Sequence, residues 1–409
     1  MTSEWRTEKL QGVISYIAKG IPPAYVEVED DNTVRVLNQK CNRDFVINYS
    51  ESRLHDLSKR SVSQEKYLRD EDILINSTGT GTAGRIAQLN TVPCPTIVDG
   101  HMIILRGNEK VKPRYLGYAL KAQQASVLQL DEGSTGQTEL NRDRLLSEIE
   151  VSYPISFEEQ EAIAATLTAL DARIAENGKI NHHLEQMAQA IFKSWFVDFE
   201  PWGGVMPEEW REGKISDLGD VIGGSTPSKA KPEYYTEHGI AWITPKDLSV
   251  NKSKFIAHGA DAITELGFRN SSTRLMPRGT VLFSSRAPIG YIAIASGEVC
   301  TNQGFKSVVP KANVGTAFIY YFLIENLQTI EGMASGSTFR EVSGSTMKGI
   351  PAIVPDDDTL LRFQEECTPI FDKQELLEAE NAHLAEIRDS LLPRLMSGKL
   401  SVADLGDTK

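Results

Sequence analysis

The stretch from Ile73 to Ala87 reads ILINSTGTGTAGRIA, and GTGTAG within it, Gly79 to Gly84, has the spacing of a loop that cradles phosphate. Such a cradle needs a strand into the first glycine, a helix opening at the last and an acidic residue about 20 positions further on. Ile73–Leu74–Ile75 can supply the strand, but Pro93 and Pro95 forbid a continuous helix downstream, and Asp99 is the only nearby acid. A dinucleotide site is disfavoured. Asp356, Asp357 and Asp358 could hold a metal for phosphodiester cleavage, yet no spaced Glu-x-Lys follows, and acids are favoured where a helix begins. His182 and His183 are adjacent and diverge around a helix, so they do not form a ligand pair. Cys41, Cys94, Cys300 and Cys367 are far apart and make no C-x-x-C pair, which is the usage of small buried apolar residues rather than of a zinc site or disulfide framework.

Without a catalytic motif, the elements that carry polar residues become the question. A chain of 409 residues, 40% hydrophobic and 24% charged, has the composition of two or three ordinary globular domains. No apolar run approaches the roughly 20 residues that cross a bilayer, and MTSEWRTEK has no signal-peptide core, so a cytoplasmic location without a membrane partner is expected. The net charge of −13 is unevenly placed. Residues 1–156 carry 19 Lys+Arg against 21 Asp+Glu, and residues 201–355 carry 15 against 14. The acidity sits in residues 157–200, with 3 against 8, and in residues 356–409, with 6 against 13.

Both acidic segments have helical spacing. From Glu158 to Trp195 the apolar positions Ile163, Leu167, Leu170, Ile174, Leu184, Ala188, Ile191 and Trp195 recur in steps of three and four, with Asn177 and Asn181 filling the gap. From Leu360 onward Phe363, Cys367, Ile370, Leu377, Leu384, Leu391 and Leu395 do the same, with Gln374, Asn381 and Arg388 at the remaining seam positions. Each helix would extend about 55 Å. Two amphipathic helices on separate domains would explain the apolar stripes, but polar seam residues such as Asn181 and Asn381 are better explained as setting the register of a helix pair.

The chain also repeats itself. Adding 200 to residues Thr135 to Trp195 aligns Gly136 with Gly336, Thr138 with Thr338, Asn181 with Asn381 and Leu184 with Leu384, without a gap. Earlier the offset drifts: EWRTEKL from Glu4 matches EWREGKI from Glu209, and Ile73–Leu74–Ile75 falls on Val281–Leu282–Phe283. The second copy of the glycine stretch is VLFSSRAPIGYIAIA, in which Ala287 and Pro288 replace the first glycines. No phosphate cradle survives that replacement. What the copies share is strand, polar turn, glycine, strand: a hairpin whose Ser, Thr and Arg side chains suit phosphates or base edges.

At this level the chain resembles the specificity subunit of type I restriction-modification systems. The resemblance is carried by the repeat and by GSTGQTELNRDRLLSEIEVSYPISFEEQEAI from Gly133, QAIFKSWFVDFEP from Gln189 and RDSLLPRLMSGKL from Arg388. It implies an α/β fold: a tandem pseudo-two-fold repeat of two globular α/β target recognition domains, separated by two long helices that form an antiparallel coiled coil. The expected boundaries are 1–155 for the first domain, 156–200 for the central helix, 201–355 for the second domain and 356–409 for the C-terminal helix and tail.

The resemblance further implies a non-catalytic, DNA-binding chain that reads a bipartite, asymmetric site on double-stranded DNA and docks two modification (methyltransferase) subunits on its helices, with restriction (translocase/nuclease) subunits as optional further partners. No cofactor is expected on this chain; S-adenosylmethionine would belong to the modification subunit and ATP to the restriction subunit. IPPAY, Ile21 to Tyr25, agrees, because an adenine methyltransferase motif needs Asn or Asp where Ile21 stands. The DNA-contact candidates are Lys40, Arg43, Ser77, Thr78, Thr80, Arg85, Gln137 and Arg142 in the first domain, and Lys246, Lys252, Ser284, Ser285, Arg286, Asn302, Gln303 and Arg340 in the second. They are chosen by repeat position and side-chain chemistry. The rivals are a self-contained enzyme and a coiled-coil adaptor whose two domains bind proteins.

Overall fold

The computed structural model describes residues 4–132, 138–336 and 340–406. The chain divides into two compact units, Met1–Arg173 with His383–Lys409, and Ile174–Ala382. Each long helix, Phe157–Phe196 and Asp357–Met396, is continuous for 40 residues and contributes to both units.

In the first unit, strands Ile14–Lys19, Met102–Gly107, Ile73–Asn76 and Ile86–Gln88 form an antiparallel sheet in that order. Its side chains alternate between two cores: Ile73, Ile75, Ile103 and Leu105 enter one, while Leu74, Met102 and Ile104 enter the other. That is the period-two consequence of a sheet covered on both faces, and it explains why the strands read as unbroken apolar runs. A second sheet orders Thr96–Val98, Thr33–Leu37, Arg53–Asp56 and Tyr25–Val26, with the first pair parallel.

The second unit repeats this plan. Strands Gly219–Gly223, Lys306–Pro310, Val281–Ser285, Ile289–Ala295 and Phe255–Ile256 form one sheet, and a second sheet again contains one parallel pair, Ile240–Ile243 with Val299–Thr301. The alternation recurs as well, Val281 and Phe283 facing one core and Leu282 the other.

The hairpin expected at Gly79–Gly84 is present in both units. Ile75 pairs with Ile86, and Phe283 with Ile292. The glycine two residues before each of these partners, Gly84 or Gly290, has positive φ, 85° and 95°. A Cβ on Gly84 would lie 2.9 Å from the Val127 carbonyl oxygen, and one on Gly290 would lie 2.6 Å from Leu327. Backbone conformation and close approach require these glycines, with no phosphate involved.

The ungapped repeat needs a correction outside the helices. Leu140 N–H donates to Ser77 O as Val342 N–H donates to Ser285 O, so Leu140 corresponds to Val342, an offset of 202 rather than 200. The following short helix absorbs the difference: Arg142–Glu148 has 7 residues and Gly344–Lys348 has 5. Helices tolerate no such drift, and the long ones keep the offset of 200.

The helices run antiparallel within each unit. In the second, Asn177 donates to Asn381 at 3.0 Å, Asn181 to Glu378 at 3.3 Å and Gln374 to Glu185 at 2.9 Å, so numbers rise on one helix as they fall on the other. In the first, Asp171 meets Arg388 at 2.8 Å, and Ile163 and Leu167 share a cluster with Leu392 and Leu395. Of the seam positions, Ile163, Leu167, Phe363 and Leu377 are buried, while Leu170, Ile174, Asn181, Leu184, Ile191, Ile370, Asn381, Leu384 and Leu391 are half-buried. Ala188 of the seam and Phe192 beside it are also buried, because each helix packs on globular structure as well as on its partner. Among the described residues no helix is long and apolar enough to cross a membrane. Cys41, Cys300 and Cys367 are buried and Cys94 is half-buried.

The Asn177 side chain is fully buried, and Asn381 also donates to Ile174 O at 3.2 Å. Asn381→Leu should strand the Asn177 amide and cost about 1 to 3 kcal/mol in urea unfolding. Adding Asn177→Leu should recover most of the loss, since the repeat-equivalent position already holds Leu377. Equal stability of single and double variants would remove the pair from any role in the seam.

Candidate functional site

The hairpin turns do not stand alone. In the first unit Gly79 N–H donates to Thr138 O at 3.1 Å, and Thr78 bridges to Glu139, so residues 138–140 lie along the turn. In the second unit Arg286 bridges to Glu341. Each unit therefore has a two-part polar edge, with the hairpin turn on one side and the segment before a short helix on the other. Thr78 hydrogen-bonds His101 Nδ1 at 2.8 Å, and Lys19 pairs with Glu139. In the second unit Glu341 meets Lys306 at 3.2 Å and Arg286 at 3.6 Å, while Lys306 also reaches Gln303 O at 3.5 Å. Asn302 Oδ1 accepts from Gly304 N–H at 2.8 Å and Gln303 accepts from Thr226, so both side chains help shape the neighbouring turn.

Three serines leave the candidate set. Ser77, Ser284 and Ser285 are fully buried. Ser284 Oγ donates to Pro288 O at 2.9 Å and accepts from Tyr291 N–H at 2.7 Å, and Ser285 Oγ donates to Gly304 O at 3.1 Å. The Ser284 and Ser285 hydroxyls tie the turn, and the Ser77 hydroxyl is buried beside it without a partner among the described residues, so none faces solvent, a use the sequence does not distinguish from ligand contact.

Lys40, Thr80, Arg142, Lys246 and Arg340 are exposed, the last donating to Glu331 O. Gln137 lies outside the described residues. Lys252 is exposed away from the turn: it lies over the Tyr291 ring at 4.5 Å and lines a cleft with Gly178, Asn181 and His182 of the first long helix. Lys19, His101, Lys306 and Glu341 belong to the polar edges and were not among the candidates. The ungapped offset of 200 hid the acids; only the offset of 202 that the backbone bonds define puts Glu139 and Glu341 at one repeat position.

Arg43 and Arg85 come together in a cleft of about 500 Å³ that is also lined by Phe45, Lys121, Gln124 and Arg388. Buried Asn42 brings them there, donating to Asn76 Oδ1 and to Arg85 O at 3.0 Å each. Asp44 and Phe45, with φ of 54° and 65°, sit in the left-handed region, which costs about 1 to 2 kcal/mol per residue. Lys121 over the Phe45 ring at 4.4 Å helps to hold that conformation. The lining residues Lys121 and Arg388 share one carboxylate: Asp171 accepts from Tyr118 and Arg388 at 2.8 Å each and pairs with Lys121 at 3.2 Å. Burial raises the Asp171 carboxyl, but Lys121, Arg388 and Tyr118 outweigh it and hold it below the ordinary value. Burial likewise pulls Lys121 down, with Asp171 opposing and Arg388 adding to the pull. Among the described residues no group of three or more His, Cys, Asp or Glu is placed to hold a metal ion.

Residues 2–186 and 207–388 each match the family model of the type I restriction modification DNA specificity domain. The chain belongs to that family. Among relatives of this specificity chain, the MjaIX specificity subunit of Methanocaldococcus jannaschii is 42% identical over 170 residues, a match spanning 40% of the chain and 38% of that protein. The HindI specificity subunit of Haemophilus influenzae is 26% identical over 470 aligned positions, which span 97% of the chain and all of that protein. The crystal structure of a type I S subunit from M. genitalium has the same fold, with TM-score 0.60 over 96% of both chains at 16% identity. The α/β repeat with paired helices is thus the architecture of the specificity family.

Asp171→Asn should destabilise the specificity chain by about 2 to 3 kcal/mol, somewhat less than a fully buried pair, because Lys121 and Arg388 lose their shared counter-charge. A carboxyl held low in the folded state stabilises above its unfolded value and loses that contribution as pH falls. The difference between native and variant in urea unfolding should accordingly be complete at neutral pH and narrow below pH 3.8.

Proposed function

We propose that this chain is the sequence-reading subunit of a type I restriction-modification assembly. Its domains, 1–155 and 201–355, each read half of a bipartite, asymmetric site on double-stranded DNA. The helical segments 156–200 and 356–409 dock two modification subunits, which carry S-adenosylmethionine and the methylation chemistry; ATP belongs to the restriction subunit.

The observation that supports this most is the repeated polar edge. Both units present the same backbone frame, a hairpin turn bonded to the segment after it, but furnish it differently: Thr78, His101 and Lys19 around Glu139, against Arg286, Gln303 and Lys306 around Glu341. One frame with two side-chain sets is what reading two different half-sites requires. Arg and Gln can bond base edges bidentately, whereas Lys and Thr suit phosphates and single acceptors. The acidic helices, 3 Lys+Arg against 8 Asp+Glu and 6 against 13, favour protein partners over DNA.

Reconstituting the chain with a modification subunit and mapping methylated adenines genome-wide tests the reading. An asymmetric motif in two separated parts is expected. Arg286→Ala should relax base preference in one part only, by about 1 to 3 kcal/mol at the affected position. Uniform weakening on all DNA would make Arg286 a phosphate contact. Methylation indifferent to loss of either domain would overturn the reading in favour of an adaptor.

A further inference from the structure

Lys254 is a cation with only 7% of its side chain exposed, far from the polar edge of its own domain. It stands just before strand Phe255–Ile256, which closes the larger sheet of the second unit by pairing in parallel with Ile289–Ala295. Its Nζ donates to Glu185 of the first long helix at 2.7 Å and to Gln374 of the second at 2.9 Å. The ammonium also lies 3.5 Å from the centre of the Phe371 ring and 4.4 Å from that of Tyr320. Glu378 of the second helix accepts from the backbone N–H groups of Lys254 and Phe255, at 3.0 Å each. One short segment of the globular domain is thus bonded to both helices at once.

Elsewhere in this unit the globular part meets the helices mainly through an apolar cluster around Phe192, Phe318 and Phe363, with an ion pair from the exposed Arg278 to Glu375 besides. Apolar contact is non-directional and tolerates sliding and rocking. A charge-assisted bond inside a ring cage fixes distance and angle. Residues 363 and 378 are separated along their helix by about 22 Å, so the two attachments together define an orientation that neither sets alone. The first unit solves the same problem with a different hub: there the helix carboxylate Asp171 is the shared ion, receiving Lys121 from the globular part and Arg388 from the other helix.

Resting on the bipartite reading above, we propose that Lys254 is a positioning residue: it fixes how the second recognition domain is held on the helix pair, and so sets which spacer length between the half-sites the complex accepts. It touches no base. Its effect travels through domain orientation, because the half-site spacing a protein recognises follows from its geometry. Burial among the rings pulls the ammonium down to about 8, against the opposing pull of Glu185, so the cage holds a charge that costs free energy to bury. Packing alone would be served as well by an apolar side chain.

The test uses the full chain reconstituted with modification subunits, on DNA duplexes carrying the mapped motif with its native spacer or one base pair more or fewer. The native chain must first show a bipartite motif; if it does not, the function proposed above fails, and this inference with it. Lys254→Met should lower discrimination between native and altered spacers by about tenfold, the factor carried by one charge-assisted hydrogen bond, while base preference in each half stays unchanged. Lys254→Met combined with Glu185→Met removes the stranded carboxylate and should restore thermal stability without restoring spacer discrimination. If a native bipartite motif is present and either folded variant keeps native spacer discrimination, Lys254 is only a structural residue and the inference is overturned.

Discussion

Everything in this structure depends on two 40-residue helices meeting in one antiparallel register. An apolar seam alone would accept several registers, because a stripe of Leu and Ile slides by a turn at little cost. The buried amides do not. Asn177 against Asn381 and Gln374 against Glu185 bond only when these residues lie opposite one another, so a slip of one turn leaves several polar groups desolvated and unpartnered. The stability given up by placing amides in the seam is exchanged for a single arrangement, and each globular part then has a defined surface on which to sit.

The sequence disclosed what periodicity and repetition can carry. The helices were legible because a three-and-four pattern persists over ten turns and recurs 200 residues later. The hairpins were legible because two different turns could be compared at one repeat position, which removed the phosphate reading of Gly79–Gly84. Burial of single polar residues was not legible. Ser77, Ser284 and Ser285 have the right side chains at the right places, yet a serine that ends a strand and one that faces a ligand have the same local pattern. Lys254 was hidden for a different reason: its partners lie 69, 120 and 124 residues away, on elements whose approach only the fold defines.

The two domain attachments show how one architecture holds a duplicated chain by a common lysine–carboxylate bond set in two different networks. In the first unit one carboxylate collects two cations; in the second one cation collects two carboxylates, Glu185 through its side chain and Glu378 through the backbone beside it. Tyr118 and Tyr321 each contribute a hydroxyl to the attachment of their own unit. The same demand, a directional bond between globular part and helix, is met in both by a lysine of the globular part on a carboxylate of the first long helix, while the shared hub is the anion in one unit and the cation in the other.

The hairpin frame has an evolutionary corollary. The bonds that hold each turn against its neighbouring segment join main-chain atoms: Gly79 to Thr138, Leu140 to Ser77 and Val342 to Ser285. Side chains at the tip add bonds of their own, Arg286 with Glu341 among them, but take no part in these main-chain bonds, so their identities can drift, be exchanged or be replaced while the scaffold persists. A lineage built this way can acquire new vocabulary without rewriting its grammar.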